Sequence, residues 1–463
     1  MRFVLSILGV SFFFGISFAQ DVTIGSTMLT QRDVVTGIQV PWEILWGPDD
    51  HIWITERRGQ ILRVEPESGN FTVVLDWRNE VESGGEPGML GMALHPDFEN
   101  TPLVYVVYCY GSGFSVQERL VSFEWDGMNL SNQQILLDEI PGGGIHNGSR
   151  ILITDDQKIL MTIGDRGNAD LSQNMNSING KLLRLNLDGS IPDDNPDPNS
   201  YIYSFGHRNA QGLCFGPNGL LYSSEHGAQS SDEFNIIEEN RNYGWPNVQG
   251  ACNTASEINF CNAFDVKEPL LEWSPCIAVN DIIYYNHPAI PEFENSILMA
   301  VLGGLSGGAQ GIIHIQMSED GLEATEEEKY FTNFGRLRDI CINPYNGALY
   351  MATNGPGYPG SGPNRIVEYR NLDYVVSNTN DPAALDRFIQ ISPNPMTISG
   401  QFQFSNNFLG AYYQIIGFNG QLMEEGRVFS TELTLDLKNY TAGTYYISAT
   451  NSLGTVTKTF VVQ

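Results

Sequence analysis

From about residue 25 to residue 372, apolar residues fall in short runs, each bounded by Gly, Asn, Asp or Pro. That is the pattern of strands joined by tight turns, and amphipathic helix periodicity is nearly absent. One phrase keeps returning: an apolar strand, a turn holding Pro, Asp, Asn or Gly, then a strand rich in Tyr, Leu and Ile. It reads ILWGPDDHIWITE near Trp46, MALHPDFENTPLVYVVY near Pro96 and RILITDDQKILMTIGD near Asp155. It returns as GLCFGPNGLLYSSEHG near Pro217 and DICINPYNGALYMATN near Pro344, with a weaker copy, IPEFENSILMAVLGG, near Phe293. Copies set roughly fifty to eighty residues apart suit the blades of a β-propeller with variable loops. A large β-sandwich or a β-helix is the alternative, but the wide period and hairpin turns favour six blades. Loops on one face of such a ring converge on its central channel, where a site would form.

The ends of the chain read differently. Residues 391–463 alternate strands with Asn-Gly, Ala-Gly and Leu-Gly turns, which predicts a small C-terminal β-sandwich. Residues 373–390 form the expected linker, polar from Ser377 to Asp386 and holding Pro382. At the other end, Arg2 precedes an apolar run from Phe3 to Phe18, and Ser17-Phe18-Ala19 offers small residues for cleavage. Residues 1–19 therefore predict a signal peptide, and no later stretch reaches membrane-spanning length. The expected product is secreted or held at the cell surface after passing through the periplasm.

Charge narrows the partners. Fifty-four acidic residues against twenty-four basic ones give a formal net charge of -30. Nucleic acid and anionic membranes demand a cationic face, so this balance argues against both as partners. An anionic ligand would need its own cluster of arginines. Among the six cysteines, Cys252 and Cys261 flank a polar loop and form the best pair, with Cys276 a competitor. Cys109, Cys214 and Cys341 lie in apolar runs and are expected as buried thiols. No CxxC or His-rich spacing suggests zinc.

The candidate chemistry sits in loops that lead into strands. GGGIHNGSRILITDDQKILMTIGD places His146 in a glycine-rich loop and ends on Asp165. A histidine with a nearby carboxylate to fix its tautomer is how a general base is built. FGHRNAQGL supplies Arg208 and Asn209, and GRLRD sets Arg336 and Arg338 on one side of a strand start. EHGAQSSDEF offers Gly227 and Ala228 at a strand end, then Asp232 and Glu233 as candidate cation ligands. SGGEPGMLGMALHPDF puts Glu86 in a glycine-rich loop. Guanidinium groups bind carboxylates bidentately, so these arginines suit a ligand bearing several of them. His207 and His226 are expected to line the channel.

Together these phrases resemble the soluble PQQ-dependent sugar dehydrogenases, the glucose/sorbosone or aldose sugar dehydrogenase family of six-bladed propellers. HNGSRI, TIGDRG, GKLLRLNLDGSIPDDNP, HRNAQGL, SDEFNIIEENRNYGWP and GRLRDI carry the likeness over roughly residues 30–370. The resemblance implies PQQ and Ca2+ as cofactors, His146 as catalytic base and Asp165 as the carboxylate that orients it. It implies Arg208 and Asn209 at the quinone oxygens, and Arg336 and Arg338 at the cofactor's carboxylates. Carbonyls of Gly227 and Ala228 would hold the calcium that touches PQQ. Gln249, Ala251 and Asn253, with Asp232 nearby, would hold a structural calcium. An aldose would leave as its lactone, with electrons passing to an external acceptor. The tail resembles the C-terminal sorting domain of type IX (Por) secretion substrates, through SPNP, IIGFNGQLM, GTYYIS and KTFVV; that implies the type IX machinery as a partner.

This chain departs from the family pattern in four places. Glu86 stands where the family has Gln, and a carboxylate there would repel an anionic cofactor. Ile145 replaces the Asp that precedes the base in glucose-specific members, and Leu302 to Ile315 lacks their fifth-blade Lys. An Asn replaces an Asp in the structural calcium loop. A non-catalytic extracellular propeller and a calcium-dependent propeller lactonase are the rival readings.

Overall fold

The computed structural model describes residues 21–304, 310–374 and 389–463, except 398, 405–407, 409–410, 419 and 452–453. The expected signal peptide, and the linker from 375 to 388, lie outside the described residues. Between residues 22 and 370 the described strands form six antiparallel sheets. Each copy of the recurring phrase forms the first hairpin of one sheet or, in the weaker copy, its turn and second strand. The first sheet runs Pro41–Trp46, Ile52–Glu56, Gln60–Val64 and Phe71–Asp76. Four more four-stranded sheets follow in chain order and open on Met89–Leu94, Gly148–Ile153, Ala210–Phe215 and Val279–Tyr285. The last opens on Leu337–Ile342 and is completed by the N-terminal strands Thr27–Ile38 and Val22–Ile24, which add beside Asn364–Arg370.

The first strands touch in cyclic order, each against the next sheet's, and the last against the first. Separate apolar clusters fill the spaces between neighbouring sheets. Trp53, Val106 and Phe123 pack between the first two, and Ile44, Tyr350 and Ile366 pack between the last and the first. These layers are where apolar area leaves water, the dominant favourable term in folding. The first strand of every sheet also breaks register with the second near its start, as at Pro41/Glu43, Gly148/Ile151 and Leu337/Asp339. Such bulges sharpen local twist and re-aim side chains. The starts of the six strands, or the residues just before them, share one cavity with their leading loops.

The single α-helix among the described residues, Ala255–Phe264, lies in an insertion before the fourth sheet's last strand. It buries no residue and opens on a capping box, in which Thr254 and Glu257 each satisfy the other's backbone N–H. A disulfide ties Cys261, within the helix, to Cys252 just before it; Cys276 is a free thiol, and Cys109, Cys214 and Cys341 are buried. In residues 389–463 two sheets share one apolar core that includes Phe402, Ile415, Ile447 and Phe460. No helix among the described residues is long and apolar enough to cross a membrane.

Candidate active site

The strand-leading loops enclose a cavity of about 710 Å³. Glu86, His146, Arg208, Asn209, Gly227, Ala228, Arg336 and Arg338 all line it, although they come from four different sheets and their loops. Asp165 stands directly behind His146.

His146 occupies the left-handed region, with φ 57°, where a non-glycine residue needs external support. The support is visible. Its backbone N–H donates to Glu86 Oε2 at 2.7 Å, and its carbonyl accepts from Arg166 N at 3.1 Å. The ring Nδ1 lies 2.7 Å from Asp165 Oδ1. Nδ1–H donation to that carboxylate leaves the lone pair on Nε2, which has no partner among the described residues. Asp165 is also fixed by Gly167 N on Oδ1 at 2.8 Å and Trp245 Nε1 on Oδ2 at 2.9 Å. Burial opposes its ionisation, yet the hydrogen bonds from His146, Gly167 and Trp245 outweigh burial and hold its pKa below the usual carboxylate range.

Arg208 and Asn209 are positioned by Glu225, whose Oε1 accepts both of their backbone N–H groups while Oε2 meets His207 Nδ1 at 2.9 Å. His207 does not reach the cavity. It is buried, stacked on Tyr243 and bonded to Ser204, so its role is to brace this loop. His226 does line the cavity. Arg208 Nη1 donates to His226 O at 3.1 Å, and its guanidinium lies over Trp245, 5.4 Å from the ring centre. Asn209 Oδ1 accepts from Gly148 N at 3.1 Å, which ties the loop to the third sheet. Its Nδ2 has no partner among the described residues.

On the opposing wall, Arg336 Nε donates to Leu302 O at 3.2 Å and Arg338 Nε to Asn354 Oδ1 at 3.3 Å. Neither forms an ion pair among the described residues. Burial lowers the pKa of both, and Arg336 and Arg57 lower that of Arg338 further. Arg338 thus sits among like charges, and neither guanidinium has an ion-paired carboxylate to offset its burial among the described residues. Glu86 spends its oxygens on the His146 N–H and on the Tyr358 hydroxyl, 2.6 Å away.

The acidic candidates separate from this group. Asp232 is fully buried, and its carboxylate accepts backbone N–H groups of Gly227 at 2.8 Å, Ile277 at 2.8 Å and Ala278 at 2.7 Å. It shapes the cavity wall through the backbone and does not face the cavity. Glu233 accepts from Gly250 N and Asn235 Nδ2; with Gln249 it borders a small neighbouring space. Ala251 and Asn253 lie in the insertion, away from both. No group of three His, Cys, Asp or Glu side chains suited to a metal occurs among the described residues.

Sequence reasoning missed Arg57, Gln211 and Tyr358, all on the cavity wall. Arg57 follows a strand in the recurring phrase and reads as a turn residue. Tyr358 sits in the glycine-rich GPGYPGSGP, whose composition signals a loop but no destination.

Residues 38–358 match the family Glucose / Sorbosone dehydrogenase, and residues 390–463 match the Secretion system C-terminal sorting domain. The chain is 41% identical over 252 residues to quinoprotein glucose dehydrogenase B of Acinetobacter calcoaceticus, covering 48% of this chain and 53% of that protein. It is 32% identical to an uncharacterized protein of Synechocystis sp., over 69% of this chain and 83% of the relative. Among solved structures, the PQQ-bound form of aldose sugar dehydrogenase from Streptomyces coelicolor aligns with TM-score 0.61 and 30% identity. That alignment covers 73% of this chain and 96% of the other.

Proposed function

Because the chain belongs to the glucose/sorbosone dehydrogenase family, we propose that it is an exported quinoprotein oxidising the anomeric hydroxyl of aldose sugars to lactones. In this reading the six sheets are the blades of a closed propeller spanning residues 25–372, and residues 391–463 form a β-sandwich that directs type IX secretion. Residues 1–19 serve as the signal peptide.

The observation that carries the reading is the convergence of a carboxylate-backed imidazole with guanidiniums that have no ion pair among the described residues. PQQ fits this donor set. It is a planar polycarboxylate, and Arg336 and Arg338 offer charged donors on one wall, while Arg208 and the Nδ2 of Asn209 offer donors on another. Bound there, the quinone supplies a hydride acceptor that no amino-acid side chain provides. Calcium is the second proposed cofactor. Gly227 and Ala228 are the residues at the cavity that would hold it, and Asp232 contributes by fixing the Gly227 backbone.

The chain's own residues then divide the work. His146 Nε2 accepts the proton of the sugar's anomeric hydroxyl, and Asp165 stabilises the imidazolium that results. Arg208 places positive charge where negative charge develops during transfer. Glu86 holds the His146 loop in its left-handed turn.

Purified full-length chain with calcium, PQQ and an aldose should reduce an artificial dye, and His146→Ala should remove that activity while PQQ binding persists. Equal rates in variant and parent would end the base assignment. Lactone hydrolysis without PQQ would instead support the lactonase reading, and silence in both assays a binding module.

A further inference from the structure

We infer that Arg57 is an anion-anchoring residue of the cavity, forming with Arg336 and Arg338 a three-guanidinium wall for a ligand bearing more than one carboxylate. This rests on the quinone-cofactor reading and adds to it a residue and a count of charges.

The argument comes from comparing arginines within the chain. The buried arginines among the described residues are Arg57, Arg150, Arg184, Arg338 and Arg370. Three of them lie away from the cavity, and each is ion-paired. Arg150 meets Glu43 at 2.6 Å and Asp339 at 2.9 Å, Arg184 meets Asp156 at 2.6 Å and Asp194 at 2.8 Å, and Arg370 meets Glu67 at 3.4 Å. Arg57 and Arg338 line the cavity, and neither has an ion pair among the described residues. A chain with fifty-four acidic residues has no shortage of partners for them.

Arg57 is held in place without being neutralised. Its N–H donates to Val40 O at 2.9 Å and its carbonyl accepts from Met89 N at 2.9 Å, pinning it between the first strands of two sheets. Its guanidinium makes one long contact, Nη2 to Gly360 O at 3.5 Å, and its buried Nε has no partner. Arg336 has a buried Nη1 in the same condition. Leaving buried donors unmade is costly. Burial lowers the pKa of Arg57, and Arg336 adds to that effect against the pull of Glu86. Glu86 is the one acidic side chain on the cavity wall among the described residues. Four guanidiniums line the cavity, those of Arg57, Arg336 and Arg338 together with Arg208, against that one carboxylate, so the excess of positive charge is matched to a ligand bearing more than one carboxylate.

The test is calorimetric titration of the calcium-loaded, PQQ-free full-length chain with PQQ, for parent, Arg57→Gln and Arg57→Lys, alongside thermal melts of the same PQQ-free proteins. Loss of one charge-assisted contact should weaken PQQ binding about ten- to a hundredfold in Arg57→Gln and less in Arg57→Lys. The melting temperature of Arg57→Gln without PQQ should equal or exceed the parent's, because charge crowding is relieved. Affinity within twofold of the parent would overturn the inference. So would weaker binding accompanied by a lower melting temperature, which marks a purely structural arginine. A parent that binds no PQQ would overturn the cofactor reading, and this inference with it.

Discussion

Asp165→Asn isolates the base from everything around it, because the substitution preserves shape and removes only the second acceptor oxygen. In the parent, three donors converge on the carboxylate: His146 Nδ1 and Gly167 N on Oδ1, and Trp245 Nε1 on Oδ2. An amide satisfies at most one side of this set. With its NH2 toward Trp245, two donors oppose each other, at a cost of about 1–3 kcal/mol for a buried unmade bond. With its NH2 toward His146, the imidazole must accept on Nδ1, which moves its proton to Nε2 and leaves no base in the cavity. Either arrangement lowers turnover, and the second should cost roughly a hundredfold to ten-thousandfold. The assay is dye-coupled aldose oxidation at saturating PQQ, with PQQ affinity measured separately and expected to hold. Stability supplies a second readout. The pKa of Asp165 lies below its ordinary value, so its contribution is present above about pH 4 and is lost as pH falls through the folded-state value. The urea-stability gap between parent and variant should therefore narrow as pH falls below about 4. Turnover within threefold of the parent, or a stability gap that does not narrow as pH falls below about 4, would refute the reasoning.

Glu118 is fully buried, and burial pushes its pKa up to about 8. Between roughly pH 4.3 and pH 8 the folded state keeps a proton that the unfolded state has released, so stability falls as pH rises, by at most about 1.4 kcal/mol per pH unit. Glu118→Gln should flatten that slope in urea titrations at pH 5 and pH 8, and identical slopes would contradict the assignment. Arg150→Gln should cost about 3–5 kcal/mol at neutral pH, because it strips the shared counter-charge from Glu43, Asp281 and Asp339. That loss should shrink toward pH 5, where the carboxyls hold protons more readily; a loss that does not change with pH would count against it. Cys252→Ser should speed proteolysis around residues 249–268 and leave PQQ affinity unchanged, since the neighbouring helix buries nothing; a drop in affinity would tie the insertion to the cavity.

The strand framework was legible because its signals are local. Turn residues and β-branched runs lie side by side in each copy of the recurring phrase; five copies became hairpins, and the weaker one a turn with its following strand. The helix at Ala255–Phe264 also had a local signal, the Thr254/Glu257 capping box, hidden by the lack of an apolar stripe. The site was legible only where its residues stand in the family's own phrases. The Trp245 contact to Asp165 spans eighty positions, and nothing near either residue announces it. The acidic run at Asp232 and Glu233 shows the converse. Its composition suggests a cation, but Asp232 is consumed by backbone N–H groups from residues 227, 277 and 278, and sequence carries no sign of which acids the backbone will claim.

The first strands also explain how an anion site can sit on the axis of so acidic a protein. Each sheet presents a residue from the opening of its first strand to the cavity: Trp42, Leu90, Gly148, Gln211, Ala278 and Arg338. One to three positions further along come Glu43, Gly91, Arg150, Gly212, Asp281 and Asp339, all buried. The two glycines let neighbouring strands close in. A Cβ on Gly91 would lie 2.1 Å from Ser149 O, and one on Gly212 would lie 2.7 Å from Asn280 O. In this second layer one guanidinium serves three carboxyls. Fully ionised, they would present net negative charge directly behind the arginines of the cavity and oppose any anion bound there. Burial works against this by raising the pKa of Glu43, Asp281 and Asp339 against the lowering pull of Arg150. A layer shifted toward its protonated form opposes a bound anion less, which leaves more of the field inside the cavity to the unpaired charges of Arg336 and Arg338.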